Sequence, residues 1–131
     1  MREVMFYLIQ WTWGLPQTLL GLFVYIKYRN CNHYKYECSI ATFWNRRGGI
    51  SLGAFIFARD ERLLAHEYGH CIQSLILGPF YLLLVGIPSY IWCNHPYFRN
   101  KRHENNIPYE SLYCERWATN IGRKYSLQEK I

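Results

Sequence analysis

Residues 59–78 read RDERLLAHEYGHCIQSLILG, and this stretch decides both the fold and the chemistry of the 131-residue chain. Its apolar residues recur at helical spacing, Asp60 is a suitable N-cap, and Gly78-Pro79 ends the run. The pattern predicts a helix over residues 60–77. Within that helix stands His66-Glu67-Tyr68-Gly69-His70, whose two histidines are four residues apart. Positions i and i+4 lie on one helix face, so both imidazoles can bind one metal ion.

The residue between the histidines suggests what the metal does. Zinc lowers the pKa of a bound water toward neutrality, and the resulting hydroxide can attack a carbonyl. Glu67 sits beside such a water and can take its proton. The string therefore predicts a zinc ion, Zn²⁺, as cofactor and Glu67 as the catalytic general base.

A catalytic zinc needs a third protein ligand and an open fourth position. A third histidine six residues after His70 is excluded, because position 76 is Ile. Glu115 fits better: it begins Glu115-Arg116-Trp117-Ala118 on a helix predicted over 109–122, and Ala118 would let two helices approach closely. Thr119 and Asn120 lie near enough to hydrogen-bond a ligand histidine. Other possible third ligands lie in or beside a polar segment: Glu110, then His95, and also His103 and Glu104.

Hydrolysis of a peptide also needs a donor that faces the substrate carbonyl as its oxygen becomes negative. The candidates are Tyr109, Tyr113, His95 and His103. Upstream, residues 34–43 and 50–57 are rich in strand-forming residues and are separated by turn residues. They predict a short antiparallel β-hairpin over 34–57.

Two stretches carry no charge and point to a membrane. Residues 4–26 are long enough to cross a bilayer with some tilt, although Pro16 would kink the helix. We expect a membrane helix or a kinked helical hairpin there, with a buried core helix as the alternative. Residues 78–92 are broken at Gly86 and Pro88, and predict a re-entrant or interfacial apolar segment. Residues 93–108 are polar and predict a loop.

Composition and charge exclude further classes. Hydrophobic residues make up 50% of the chain and aromatic residues 18%, which excludes a disordered protein. The net charge of +6 comes from short basic clusters that flank apolar stretches, which favours a membrane surface over nucleic acid. Residues 27–74 and 94–131 each hold seven Lys or Arg residues, so both are expected on the cytoplasmic side. Five cysteines without a C-x-x-C motif favour free thiols.

The pattern HEYGH followed by ERWA resembles the gluzincin class of zinc metallopeptidases, and the size of the chain resembles the minigluzincins. The strings GISLGAFIF, HEYGHCIQS, LGPFYLL, GIPS and ERWATNIG also resemble a family of small bacterial membrane proteins. The resemblance implies His66, His70 and Glu115 as zinc ligands and Glu67 as the base. Asn120 stands where that family has an Asp. In gluzincins an edge strand upstream of the zinc helix often holds the substrate, which here implies Ile50, Ser51, Leu52, Gly53, Ala54 and Phe55.

We therefore expect a single α+β domain over residues 1–131. Its predicted function is a membrane-associated zinc metallopeptidase of a bacterial inner membrane. It would act on peptide or protein substrates at the cytoplasmic face of the lipid bilayer, without a nucleic-acid partner. An intramembrane protease of the site-2 type is disfavoured, because that family uses an Asp as third ligand and Asp60 is too close to His66. The alternatives are a non-catalytic zinc-binding membrane scaffold or adaptor, and a soluble metal-free module.

Overall fold

The protein is a mixed α+β structure, as expected. The computed structural model describes residues 2–46 and 48–125. The α-helices are α1 Arg2–Thr12, α2 Leu15–Lys27, α3 Leu64–Leu77, α4 Ile87–Asn94, α5 Pro96–Asn105 and α6 Tyr113–Tyr125. The strands are β1 Asn32–Tyr36, β2 Ser39–Phe43, β3 Gly49–Leu52 and β4 Phe55–Ala58. Short 3-10 turns at Glu61–Leu63, Gly78–Phe80 and Tyr109–Ser111 and a π-helical segment at Leu82–Gly86 complete the order.

The four strands form one mixed sheet in the order β1-β2-β4-β3. The pairs β1–β2 and β3–β4 are antiparallel, whereas β2 and β4 run parallel. The single antiparallel hairpin predicted over 34–57 is therefore wrong, because the chain also reverses within each predicted strand. Glu37 (φ 52°) lies in the first reversal and Gly53 (φ 65°) in the second. A glycine with positive φ at the first turn position matches the right-handed twist of a two-residue hairpin.

The core lies between the sheet and the helices. All four residues of β4, Phe55–Ala58, are buried, which explains why this strand is a continuous apolar run. Both α2 and α3 pack on β3 and β4. From α3, Tyr68 and Cys71 contribute buried side chains to this core. The sheet thereby fixes one face of the helix that carries the two histidines.

The charge-free stretch 4–26 forms two helices and not one. The chain bends at Trp13 and Gly14 so sharply that Thr18 Oγ1 donates a hydrogen bond to the carbonyl of Gln10 at 2.8 Å. Within residues 2–46 and 48–125, no helix is both long enough and apolar enough to cross a membrane. The prediction of one membrane-crossing helix is therefore wrong, and the stretch takes the kinked form. Its break follows from Pro16, which sits in the first turn of α2.

The segment after α3 is more helical than the sequence indicates. Pro88 lies in the first turn of α4 and does not interrupt it. The loop predicted over 93–108 is wrong, because it contains α5. That helix has no apolar periodicity, but His95 caps it by accepting a hydrogen bond from Tyr97 N at 3.2 Å, and Asn106 ends it with φ 53°.

Candidate metal centre

Helices α3 and α6 pack with their backbones in contact. A Cβ atom on Gly69 would lie 1.9 Å from the carbonyl oxygen of Ala118, and one on Gly122 would lie 2.1 Å from that of Ala65. Only glycine allows backbones to approach this closely. Ala118 therefore faces a glycine, and the close approach that its small side chain suggested is present. The contact places Glu115 of α6 opposite the two histidines of α3.

Three ligand-type side chains converge where these helices meet. His66 Nε2 lies 2.6 Å from Glu115 Oε2, and His70 Nε2 lies 3.3 Å from the same oxygen. The ligand atoms of His66, Glu67 and His70 all lie within 4.8 Å of one another, so this cluster could hold a metal ion. His70 and Glu115 are buried, with 4% and 0% of their surface exposed.

The Nδ1 atom of each imidazole also has a hydrogen-bond partner. His66 Nδ1 lies 2.8 Å from Thr119 Oγ1, and that hydroxyl donates its proton to Glu110 Oε1 at 3.1 Å. The Thr119 oxygen must then accept from His66 Nδ1–H. This network assigns a proton to Nδ1 of His66, so Nε2, which faces Glu115, is the nitrogen that a metal ion would bind.

The same reasoning applies to the second histidine. His70 Nδ1 lies 2.6 Å from Gln73 Oε1, while Gln73 Nε2 donates to the carbonyl of Cys114 at 3.0 Å. Gln73 therefore offers an acceptor, so His70 carries a proton on Nδ1. Both Nε2 atoms then face the same carboxylate oxygen of Glu115. Contacts of this length are those of an Nε2–H that donates to a carboxylate, and a metal ion that took the place of such a proton would be bound by two imidazole nitrogens and a carboxylate oxygen.

The partners of the histidines differ in part from those expected. Thr119 contacts His66, but Asn120 is exposed, so its expected role is wrong. One further helical residue turns the side chain away by about 100°, off the face that meets α3. Gln73 was missed, although its position three residues after His70 places it on the same helix face.

Ser89 was also missed as a partner of Glu115. Its hydroxyl donates a hydrogen bond to Glu115 Oε1, the oxygen that does not face the histidines. Burial alone would raise the pKa of Glu115, but hydrogen bonds from His66 and His70 outweigh it and hold the pKa well below its usual range. Glu115 is thus a fixed, ionised carboxylate. No sequence spacing connects it to Ser89, which lies on a different helix.

The other residues considered as third ligand lie elsewhere. Glu110 is exposed and accepts a hydrogen bond from Thr119, behind His66. His95 caps α5 and packs its ring against Phe98. His103 and Glu104 are exposed on α5. Glu115, and none of these four, contacts the Nε2 atoms of both histidines, at 2.6 and 3.3 Å.

The Glu67 side chain lies close to both histidines. Its carboxylate is buried, and Oε2 has no hydrogen-bond partner among the residues that the structure describes. Burial raises the pKa of Glu67 above its usual value, although His70 and His66 act in the opposite direction. A buried and unpaired carboxylate oxygen is costly, which indicates that a group outside the chain satisfies it.

A pocket of about 320 Å³ opens beside this cluster and is lined by Glu67, His70, Ser89 and Tyr109, among others. The ring of Tyr109 lies 6.3 Å from that of His66, and burial raises its pKa, so its hydroxyl stays protonated as a donor. Tyr113 is exposed and its hydroxyl donates to the carbonyl of Leu84. Of the four candidate oxyanion donors, Tyr109 is the one placed in the pocket.

Strand β3 is an edge strand and its residues line the pocket. It contains Ile50, Ser51 and Leu52, as expected, but Gly53 and Ala54 form the turn, and Phe55 starts the inner strand β4. The expected edge strand is therefore wrong for its last three residues, because the chain reverses after Leu52. The Ser51 carbonyl points away from β4 and accepts a hydrogen bond from Tyr81 at 3.0 Å.

Comparison with models of known protein families, with curated proteins and with solved structures finds no match. The chemistry of the site is therefore argued from its geometry. Two imidazoles and the buried carboxylate of Glu115 meet beside a pocket that Glu67, His70 and the edge strand β3 line.

Proposed function

We propose that the protein is a membrane-associated zinc metallopeptidase, with His66, His70 and Glu115 as the zinc ligands. The observation that carries this proposal is the meeting of two imidazole Nε2 atoms at one oxygen of Glu115, at 2.6 and 3.3 Å. Imidazole nitrogen with one carboxylate is a donor set that catalytic zinc uses, whereas magnesium and calcium prefer oxygen ligands alone.

Zinc held by these residues supplies a Lewis acid that lowers the pKa of a water ligand toward neutrality. Glu67 takes the proton from the attacking water, since its Oε2 is buried beside the cluster without another partner. The hydroxyl of Tyr109 donates to the carbonyl oxygen as it becomes negative. Ser89 holds the second oxygen of Glu115, which keeps that carboxylate oriented toward the histidines.

The peptide chain binds at the start of β3, beside Gly49, because Ser51 and Leu52 are buried and Tyr81 covers the edge at Ser51. Leu52 and Phe55 flank a two-residue turn, so they form a hydrogen-bonded pair. Because such pairs alternate along an antiparallel ladder, the backbone N–H and C=O groups of Gly49 and Ser51 point away from β4. The Tyr81 hydroxyl already occupies the Ser51 carbonyl, which is consistent with this direction. Gly49 lies next to Glu67, where a Cβ atom would sit 3.3 Å from the Glu67 carboxyl carbon. A strand paired there brings its peptide bonds to the base.

Membrane association rests on the exposed side chains of the two charge-free stretches. We define the apolar surface by the following exposed residues: Val4, Met5, Leu8, Trp13, Leu15, Leu19, Leu20, Phe23, Ile26, Ile76, Phe80, Leu83, Leu84, Ile87, Tyr90 and Ile91. Exposed apolar surface on this scale marks an interaction site. Exposed Lys27 ends α2 and exposed Arg29 follows it, so an anionic lipid surface suits both the apolar and the basic residues of this region.

Vesicle flotation tests this association with phosphatidylcholine vesicles that contain or lack phosphatidylglycerol. Phe23, with 68% exposure, is the site of the variant Phe23→Glu; Tyr97→Glu, at 57% exposure on α5, is the matched control. We expect wild-type protein and the Tyr97 variant to float with anionic vesicles and the Phe23 variant to bind less. Equal binding of both variants would overturn the membrane proposal.

The catalytic proposal is tested by Glu67→Gln, which keeps the shape of the side chain and removes the base. Glu104→Gln, an exposed glutamate on α5, is the matched control. We expect all proteins to retain zinc after expression in zinc-rich medium, and only the Glu67 variant to lose hydrolysis of a quenched-fluorescent peptide library. Absence of zinc, or full activity of Glu67→Gln, would contradict the proposal. A fourth protein ligand would instead make the metal structural and favour a scaffold or adaptor.

A further inference from the structure

The pocket connects the apolar surface with the reacting groups. Leu20, Ile87 and Tyr90 line the pocket and also belong to the apolar surface, with 45%, 53% and 62% of their area exposed. At the other end, Glu67 and His70 line the same pocket with 5% and 4% exposed. A substrate that reaches the base by this route passes apolar residues that face outward.

The two halves of the apolar surface meet at this pocket. A Cβ atom on Gly78 would lie 2.1 Å from the ring of Trp13, so the start of the 78–92 segment packs directly on the bend between α1 and α2. Leu20 from α2 and Ile87 from α4 both line the pocket. The mouth of the pocket is therefore built by the same segments that would contact lipid.

We propose that the substrate is a polypeptide held at the same lipid surface, and that it is cleaved in a segment next to its membrane anchor. This inference rests on the proposed peptidase function and adds the class of its substrate. A chain anchored in the same bilayer is presented at a high effective concentration beside the pocket mouth. The apolar surface does not raise the effective concentration of a soluble peptide, which must reach the pocket by diffusion from the aqueous phase.

The test uses one cleavable peptide in two forms, soluble and carrying a C-terminal acyl chain, with wild-type protein on phosphatidylcholine–phosphatidylglycerol vesicles. Fluorescence dequenching gives kcat/KM. We expect a gain of about a hundredfold for the anchored form when protein and peptide share a vesicle, mostly through KM. Equal rates for both forms, or equal rates when protein and peptide sit on separate vesicles, would overturn the inference.

A pair of variants tests the route through the pocket mouth. Ile87→Glu charges the mouth, and Ile76→Glu charges an equally exposed part of the apolar surface (55% against 53%) that is not part of the pocket lining. At matched amounts of vesicle-bound protein, we expect only the Ile87 variant to slow cleavage of the anchored peptide, by about tenfold. Equal slowing by both variants would show that entry does not pass Ile87.

Binding without hydrolysis separates this inference from the proposed function. Energy transfer from the protein's tryptophans to a dansyl group on the anchored peptide measures binding by zinc-loaded Glu67→Gln protein. At matched amounts of vesicle-bound protein, we expect Ile87→Glu, added to that variant, to weaken binding of the anchored peptide and Ile76→Glu not to weaken it. If the variants show this binding pattern but wild-type protein does not cleave the peptide, the peptidase proposal is wrong and the binding of an anchored polypeptide at the pocket is retained. If wild-type protein cleaves both forms of the peptide equally well, the peptidase proposal is retained and the inference about an anchored substrate is wrong.

Discussion

Replacement of Gly69 by alanine should separate α3 from α6 and weaken the metal centre. The new Cβ atom would lie 1.9 Å from the Ala118 carbonyl oxygen, whereas ordinary contact begins at 3.4 Å. The obstacle is backbone, so no side chain can rotate away. The helices must therefore open by about 1.5 Å at this point. Glu115 lies on α6 one turn before Ala118 and moves with it.

The expected loss of zinc affinity and of stability follows from how little displacement metal ligands and packed cores tolerate. Zinc ligands keep their distances to within about 0.2 Å, so a displacement several times larger removes or strains the Glu115 ligand. We expect zinc affinity to fall at least about tenfold. Overpacking costs about 1–3 kcal/mol of unfolding free energy, offset by about 1 kcal/mol from the better helix propensity of alanine.

The assay is competition with a chromophoric zinc chelator, together with urea unfolding of the metal-free protein. Gly86→Ala is the control, since its Cβ would lie 3.3 Å from the movable Leu82 side chain and 3.8 Å, an ordinary contact distance, from the Tyr81 carbonyl oxygen. That variant should keep wild-type zinc affinity and be at least as stable as wild type. If Gly69→Ala binds zinc as tightly as wild type and is equally stable, the contact between α3 and α6 does not assemble the site.

Three further results are expected. Thr119→Val removes the acceptor that orients His66, so zinc affinity should fall about tenfold to hundredfold in the same chelator assay; unchanged affinity would remove Thr119 from the site. Burial raises the pKa of Cys71 to about 12 and of Cys114 to about 11. Both thiols should resist iodoacetamide at neutral pH until the protein unfolds, while the partly exposed Cys31 and Cys93 react first in peptide mapping; rapid labelling of folded Cys71 would contradict its burial. Zinc at a hundredfold excess over its Kd should add about 2.7 kcal/mol to the unfolding free energy, seen as a higher Tm in calorimetry, and a Tm independent of zinc would argue against a native-state site.

Helix α3 was the most predictable element because the residues that indicate its start and end are close to it in the sequence. Asp60 accepts a hydrogen bond from Arg62 N at 3.0 Å, and Gly78 ends the helix with φ 58°, so start and stop were both readable. The predicted span 60–77 contains the observed helix Leu64–Leu77 and the 3-10 turn before it. The four-residue spacing of the histidines then follows from helix geometry alone.

The sheet and the outer part of the site were less predictable because they depend on distant contacts. Nothing local marks Glu37 as a turn residue, and the parallel pairing of β2 with β4 is a tertiary choice. The hydrogen bond from Ser89 to Glu115 joins residues on α4 and α6, which no periodicity connects. Gln73 is the exception, since a polar residue three positions after His70 could have been recognised as its partner.

The most direct test of the zinc centre is X-ray absorption at the zinc edge on loaded wild-type protein and on Glu115→Ala. We predict two imidazole nitrogens with oxygen ligands only, at about 2.0–2.2 Å, and the loss of one oxygen ligand together with much weaker binding in the variant. Sulfur scattering at about 2.3 Å, or an unchanged spectrum and affinity in Glu115→Ala, would contradict the assignment of His66, His70 and Glu115 as the zinc ligands.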